Sequence, residues 1–148
     1  MLSGKVNIKK LDERAVIPSY GSLYSAGCDL YAVLDEELVI KSGETVLVKT
    51  GLAMEIPVGY AGLIFARSGL ASKKGLAPAN KVGVVDADYR GEVMVALHNH
   101  SNEDRVVTVG ERIAQLVIMP FFTAEFEEVD ELSDTVRGEG GFGSTGSM

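Results

Sequence analysis

The chain has 148 residues, enough for one domain with a substantial core, and its 46% hydrophobic and 24% charged content is ordinary for a globular protein. Fourteen basic against 21 acidic residues leave a formal charge of −7, which opposes nonspecific binding to nucleic acid or to an anionic membrane. No apolar run nears the roughly 20 residues that span a bilayer, the opening MLSGKVNIKK lacks the apolar stretch of a signal peptide, and a lone cysteine, Cys28, suits a reducing compartment; a cytoplasmic protein is expected.

Short β-branched runs between Gly, Pro, Asn and Asp predict strands over 6–11, 28–32, 37–40, 45–49 and 52–56, with Thr50 and Gly51 splitting the last two. The same rhythm continues over 60–66, 82–85, 92–98, 105–109, 113–119 and 125–129. Pro18, Pro57, Pro78 and Pro120 all fall between these runs, where a missing amide does no harm. Only 68–74 reads as helix, with Ser68 as N-cap and Gly75 as the left-handed residue that ends it. Many short strands and one brief helix predict an all-β fold, a jelly-roll-like barrel or sandwich over 1–132. Residues 133–148 form a Gly-rich C-terminal segment with little to pack into a core, expected to be flexible and able to reach a neighbouring subunit.

That segment carries the most suggestive chemistry. Glycines let successive amides converge on a phosphate, Arg137 adds a bidentate charge-assisted donor, and Ser144 and Thr145 add hydroxyls. Phe142 stands alone among glycines and suits stacking on a nucleobase. The plainer alternative is a disordered Gly/Ser tail.

Upstream, Arg67 and Ser68 stand where a strand becomes a helix, and free amides there would favour an anion; a capped helix with a solvated arginine is the alternative. The stretch 80–91 reads as a β-hairpin. Asp86, at the end of its apolar first strand, is expected to be partly buried and able to take a proton from water, with Tyr89 closing one side of a pocket. A solvated Asp-rich turn is the alternative there. Asp29, Arg112 and Gln115 lie on or beside strands that rarely hold such groups unpaired, so either an Asp29–Arg112 contact or a polar site is expected, a structural role being the alternative to a functional one for each. His98 and His100 show no metal-site arrangement.

Taken in order, AGCDLYA (26–32), ARSGLA (66–71), GVVDADYRGE (83–92), GERIAQLV (110–117) and RGEGGFGSTG (137–146) resemble the five signature motifs of the trimeric dUTPase family. All five in sequence, spanning nearly the whole chain, are far more specific than any one. Cys28 stands where the family often has a bulkier residue, and Ala66 where proline or glycine is common.

The resemblance implies hydrolysis of dUTP to dUMP and pyrophosphate, which keeps uracil out of DNA and supplies dUMP for dTMP synthesis. By matching motif positions, Asp86 would activate the water that attacks the α-phosphorus. Tyr89 would pack beneath the deoxyribose and exclude a 2′-hydroxyl. Asn80, Gly83, Val84, Val85, Asp86 and Met94 would line the uracil pocket. Arg67, Ser68, Gly69 and Gln115 would hold phosphates. Arg137, Gly143, Ser144 and Thr145 would close over them while Phe142 covers the base. Mg2+ would be held by phosphate oxygens and water, with Asp29 touching it only through water. The site would be shared within a homotrimer. Two rivals remain: a dCTP deaminase of the same architecture, and a noncatalytic nucleotide sensor.

Overall fold

The computed structural model describes residues 3–144 and 146. Among the described residues, ten strands form three antiparallel sheets. The first sheet has the order β1 (Asn7–Lys10), β4 (Thr45–Glu55), β8 (Val93–Asn99) and β6 (Leu76–Pro78). The second has the order β2 (Cys28–Tyr31), β10 (Arg112–Pro120), β5 (Tyr60–Phe65) and β7 (Gly83–Val85). A two-stranded ribbon pairs β3 (Leu38–Ile40) with β9 (Arg105–Val107). With one helical turn at Leu70–Lys74, this is the jelly-roll-like all-β class expected.

The core lies between the sheets, and strand alternation supplies it. Along β8, Val93, Val95, Leu97 and Asn99 point inward and are buried, while Met94, Ala96 and His98 face the other way. Leu30, Ile40, Leu52, Leu76, Leu97 and Ile113 are fully buried, each contributing roughly 1.5–3 kcal/mol. Buried Asn99 is fully used: its amide nitrogen donates to the carbonyls of Ile40 and Glu103, and its Oδ1 accepts from Ser101.

Two bulges shape the strands. The segments predicted at 45–49 and 52–56 are one strand, β4, whose register against β8 shifts between Lys49 and Leu52. Gly51 takes φ +68 there, its carbonyl accepts from Leu11, and Thr50 Oγ1 donates to the Val93 carbonyl. The split residues therefore bend a continuous strand. A second shift in β10, between Arg112 and Ala114, lets Ile113 and Ala114 both be buried.

Several boundaries differ from expectation. Pro78 ends the short strand β6 and Pro120 ends β10. Both are tolerated because β6 is an edge strand and β10 has lost its β2 neighbour by Pro120. Residues 125–129 form no strand: they pair with none of the strands among the described residues, and they are exposed. The 80–91 stretch is not a hairpin: β7 bonds to β5 and β8 bonds to β4 and β6, so the chain crosses from one sheet to the other.

Candidate active site

Where β7 and β8 part, they leave a cleft of about 270 Å³. Its walls include Asn80, Gly83, Val84, Val85, Asp86, Tyr89 and Met94, all singled out from sequence, together with Leu47, Ile64, Glu92 and Val93. The tight turn before β7 sets Asn80: Lys81 N donates to the Pro78 carbonyl, Val82 N to that of Asn80, and Lys81 takes φ 66. Gly83 lies against Asn80 and Ile64, where a methyl would come within 3.3 Å of both. After β7, the Asp86 carbonyl accepts from Tyr89 N at 3.2 Å, closing a turn that brings the ring back over the cleft. Tyr89 Oη donates to the Glu92 carbonyl at 2.9 Å.

Asp86 is exposed in the isolated chain, not half-buried as its position after an apolar strand suggests. It follows Val85, the last residue of β7, which pairs with Gly62 two residues from the start of β5. Glu92 was not anticipated; its Oε2 is buried with no hydrogen-bond partner. Leu47 was not legible either, because only the β4–β8 pairing brings it near Met94.

A second group forms at the opposite end of β5. Arg67 Nε donates to Asp29 Oδ1 at 2.8 Å, and Arg112 Nη1 donates to Asp29 Oδ2 at 3.3 Å, which includes the expected Asp29–Arg112 contact. Register explains the meeting: Gln115 sits opposite both Asp29 on β2 and Phe65 on β5. Gln115 Nε2 donates to the Ala66 carbonyl, and its Oε1 lies so close to Gly27 that a Cβ there would meet it at 2.4 Å. Ser68 is not the N-cap: Gly69 holds that position without a side-chain bond, and Ser72 Oγ donates back to the Ser68 carbonyl. The helix has only five residues, so attraction for an anion there rests on Arg67 more than on a helix dipole.

The two groups do not meet within one chain. Gly62 pairs with Val85, so Asp86 lies beside the start of β5, whereas Arg67 follows its end. At about 3.3 Å per residue they stand about 20 Å apart along the strand. The C-terminal candidates also stay apart. Arg137 Nε bonds to the Gly140 carbonyl, Ser144 N to that of Gly141, and Gly143 has φ +88. Phe142 is fully exposed with φ 51, and none of the described tail residues lines the cleft. Thr145 lies outside the described residues.

Among the described residues, no group of three or more His, Cys, Asp or Glu could hold a metal ion. Asp29 uses one lone pair on each oxygen for an arginine, leaving others free for water. That donor set fits an ion carried on phosphate oxygens and touched by the protein through water.

The dUTPase family model matches residues 13–146. The chain belongs to the dUTPase family. A deoxyuridine 5'-triphosphate nucleotidohydrolase of Nautilia profundicola is 54% identical over 142 residues, covering 96% of this chain and 99% of that protein. One from Syntrophotalea carbinolica is 50% identical over 141 residues, covering 95% and 96%. Among solved structures, Staphylococcus bacteriophage 80alpha dUTPase with dUpNHpp aligns with a TM-score of 0.84 at 32% identity, over 98% of this chain and 100% of that one. A variant dUTPase from phage phi11 of S. aureus, described with a structural Mg(II) ion, aligns at 0.76 and 28% identity, over 86% and 98%.

Proposed function

We propose that this chain, a dUTP diphosphatase by family, hydrolyses dUTP to dUMP and pyrophosphate at a site assembled from three copies. The observation that carries this reading is the cleft that gathers Asn80, Gly83, Val84, Val85, Asp86, Tyr89 and Met94 at the divergence of β7 and β8. Backbone groups of β7 and the Asn80 amide read the pyrimidine edge, and a cytosine would leave some of them unpaired. The Tyr89 ring lies under the deoxyribose and excludes a 2′-hydroxyl. The Asp86 carboxylate takes a proton from a water as its oxygen bonds to the α-phosphorus. The bond from that phosphorus to the bridging oxygen breaks, and pyrophosphate leaves with the electron pair.

Arg67, Ser68, Gly69 and Gln115 grip the phosphates, with Arg67 held in place by Asp29. Asp29 would touch a triphosphate-bound Mg2+ through water, and the ion would supply charge neutralisation for the leaving pyrophosphate. The separation of Asp86 from Arg67 favours a shared site, because one triphosphate cannot touch both ends of β5. A second copy brings the arginine group to the cleft, and a third brings the tail, as the resemblance to the trimeric family implies. Closed threefold symmetry meets both needs. Arg137, Gly143, Ser144 and Thr145 then close over the phosphates and Phe142 covers the uracil. In the cytoplasm this reaction would withhold uracil from DNA and supply dUMP for dTMP synthesis.

The test is pyrophosphate release from dUTP, dTTP, dCTP and UTP, with sedimentation to give the assembly. Release from dUTP alone by a trimer is expected. Ammonia from dCTP would point to a deaminase instead, and dUTP binding without product to a sensor.

A further inference from the structure

We infer that Gly91 is a positioning residue for sugar selection: its bare backbone is the seat on which the Tyr89 ring lies. A Cβ built on Gly91 would stand 2.4 Å from Tyr89 Oη, 2.6 Å from Cζ and 3.0 Å from Cε2. The three atoms are the hydroxyl end of the ring, so the added methyl would press on the end that the Glu92 carbonyl holds. Gly91 is not among the glycines with positive φ, so the requirement for glycine here is one of space and not of backbone conformation.

Tyrosine has only two side-chain torsions, and a rigid ring cannot bend away from a methyl. Relief to ordinary contact would displace the ring by about 1 Å. Oη is both the nearest atom to the added methyl and the donor to the Glu92 carbonyl at 2.9 Å, so the same displacement breaks the bond that anchors the ring. Tyr89 is 43% exposed and lines the cleft, which leaves it room to swing outward. A steric wall against one hydroxyl works only where its face is held to a fraction of an ångström. Gly91 therefore sets sugar selectivity without touching substrate. This rests on the reading of Tyr89 as the group that excludes ribose.

The experiment measures kcat/KM for dUTP and UTP in the full-length protein, Gly91→Ala, Tyr89→Ala and the double variant, with thermal melting of each. Gly91→Ala is expected to lower the dUTP-over-UTP ratio about tenfold, and to change it no further once Tyr89 is alanine. An unchanged ratio in Gly91→Ala beside a relaxed one in Tyr89→Ala overturns the inference alone. An unchanged ratio in Tyr89→Ala overturns the reading beneath it, and the inference with it. Should Gly91→Ala fail to fold, a folded double variant supports the ring contact, and an unfolded one overturns it.

Discussion

Arg67, just past the end of β5, and Asp29 on β2 are joined at 2.8 Å, although β5 and β2 do not pair and are linked through β10 between them. Both side chains are mostly shielded, at 29% and 20% exposure, so solvent screens the pair less than an ordinary surface bridge. Asp29→Asn leaves Arg67 and Arg112 without their shared counter-charge. The expected outcome is a KM for dUTP raised about tenfold, with a smaller change in kcat, because a guanidinium that must be ordered on binding weakens phosphate contact. A fall in kcat with KM unchanged would assign Asp29 to the chemical step.

Asp86 stands at the mouth of the cleft with no hydrogen bond or ion pair to its side chain among the described residues. Asp86→Asn keeps its size and removes its capacity to accept a proton. Turnover is expected to fall about a thousandfold, within the range for a general base, while the Kd for dUpNHpp stays close to that of the parent protein. Titration calorimetry alongside pyrophosphate release checks both halves. Loss of binding in step with turnover would contradict the assignment.

The described part of the C-terminal segment adds nothing to the core: Leu132, Val136 and Phe142 are exposed and the bonds of Arg137 and Gly140 are local. Removing residues 137–148 should leave the melting temperature and assembly unchanged and lower kcat/KM about a hundredfold, the scale expected for a lost closing element. Dissociation or unfolding of the shortened chain would place the segment in the fold instead.

Cys28 is buried on β2, its Sγ donating to the Leu116 carbonyl at 3.4 Å, and burial pushes the thiol above its ordinary 9.0. The folded state therefore holds this proton more tightly than the unfolded chain. The stability it contributes is complete below the unfolded value and is lost as pH rises through that value toward the folded one. Between about pH 8 and 10, the melting temperature of Cys28→Ala should fall less steeply than that of the parent protein. Equal slopes would remove Cys28 from the alkaline response.

Local chemistry made much of this molecule legible. Alternation along 92–98 suffices to put Val93, Val95 and Leu97 inside and Met94 on the opposite face, because the two-residue period belongs to the strand itself. Gly75, at φ +70, ends the helix as its place after two lysines implies. The five motifs point to one family, and the candidate residues between 80 and 94 converge on one cleft. Strand partners are another matter, since they are chosen by contacts far apart in the chain. Nothing within 83–92 reveals that β7 pairs with β5 while β8 pairs with β4 and β6, so a local reading turns a sheet-to-sheet crossing into a hairpin. The same nonlocal pairing brings Leu47 to the cleft and sets Asp86 and Arg67 at opposite ends of β5. Residue type and spacing determined which groups are available for chemistry. Only the register of distant strands decided which of them one chain can bring together.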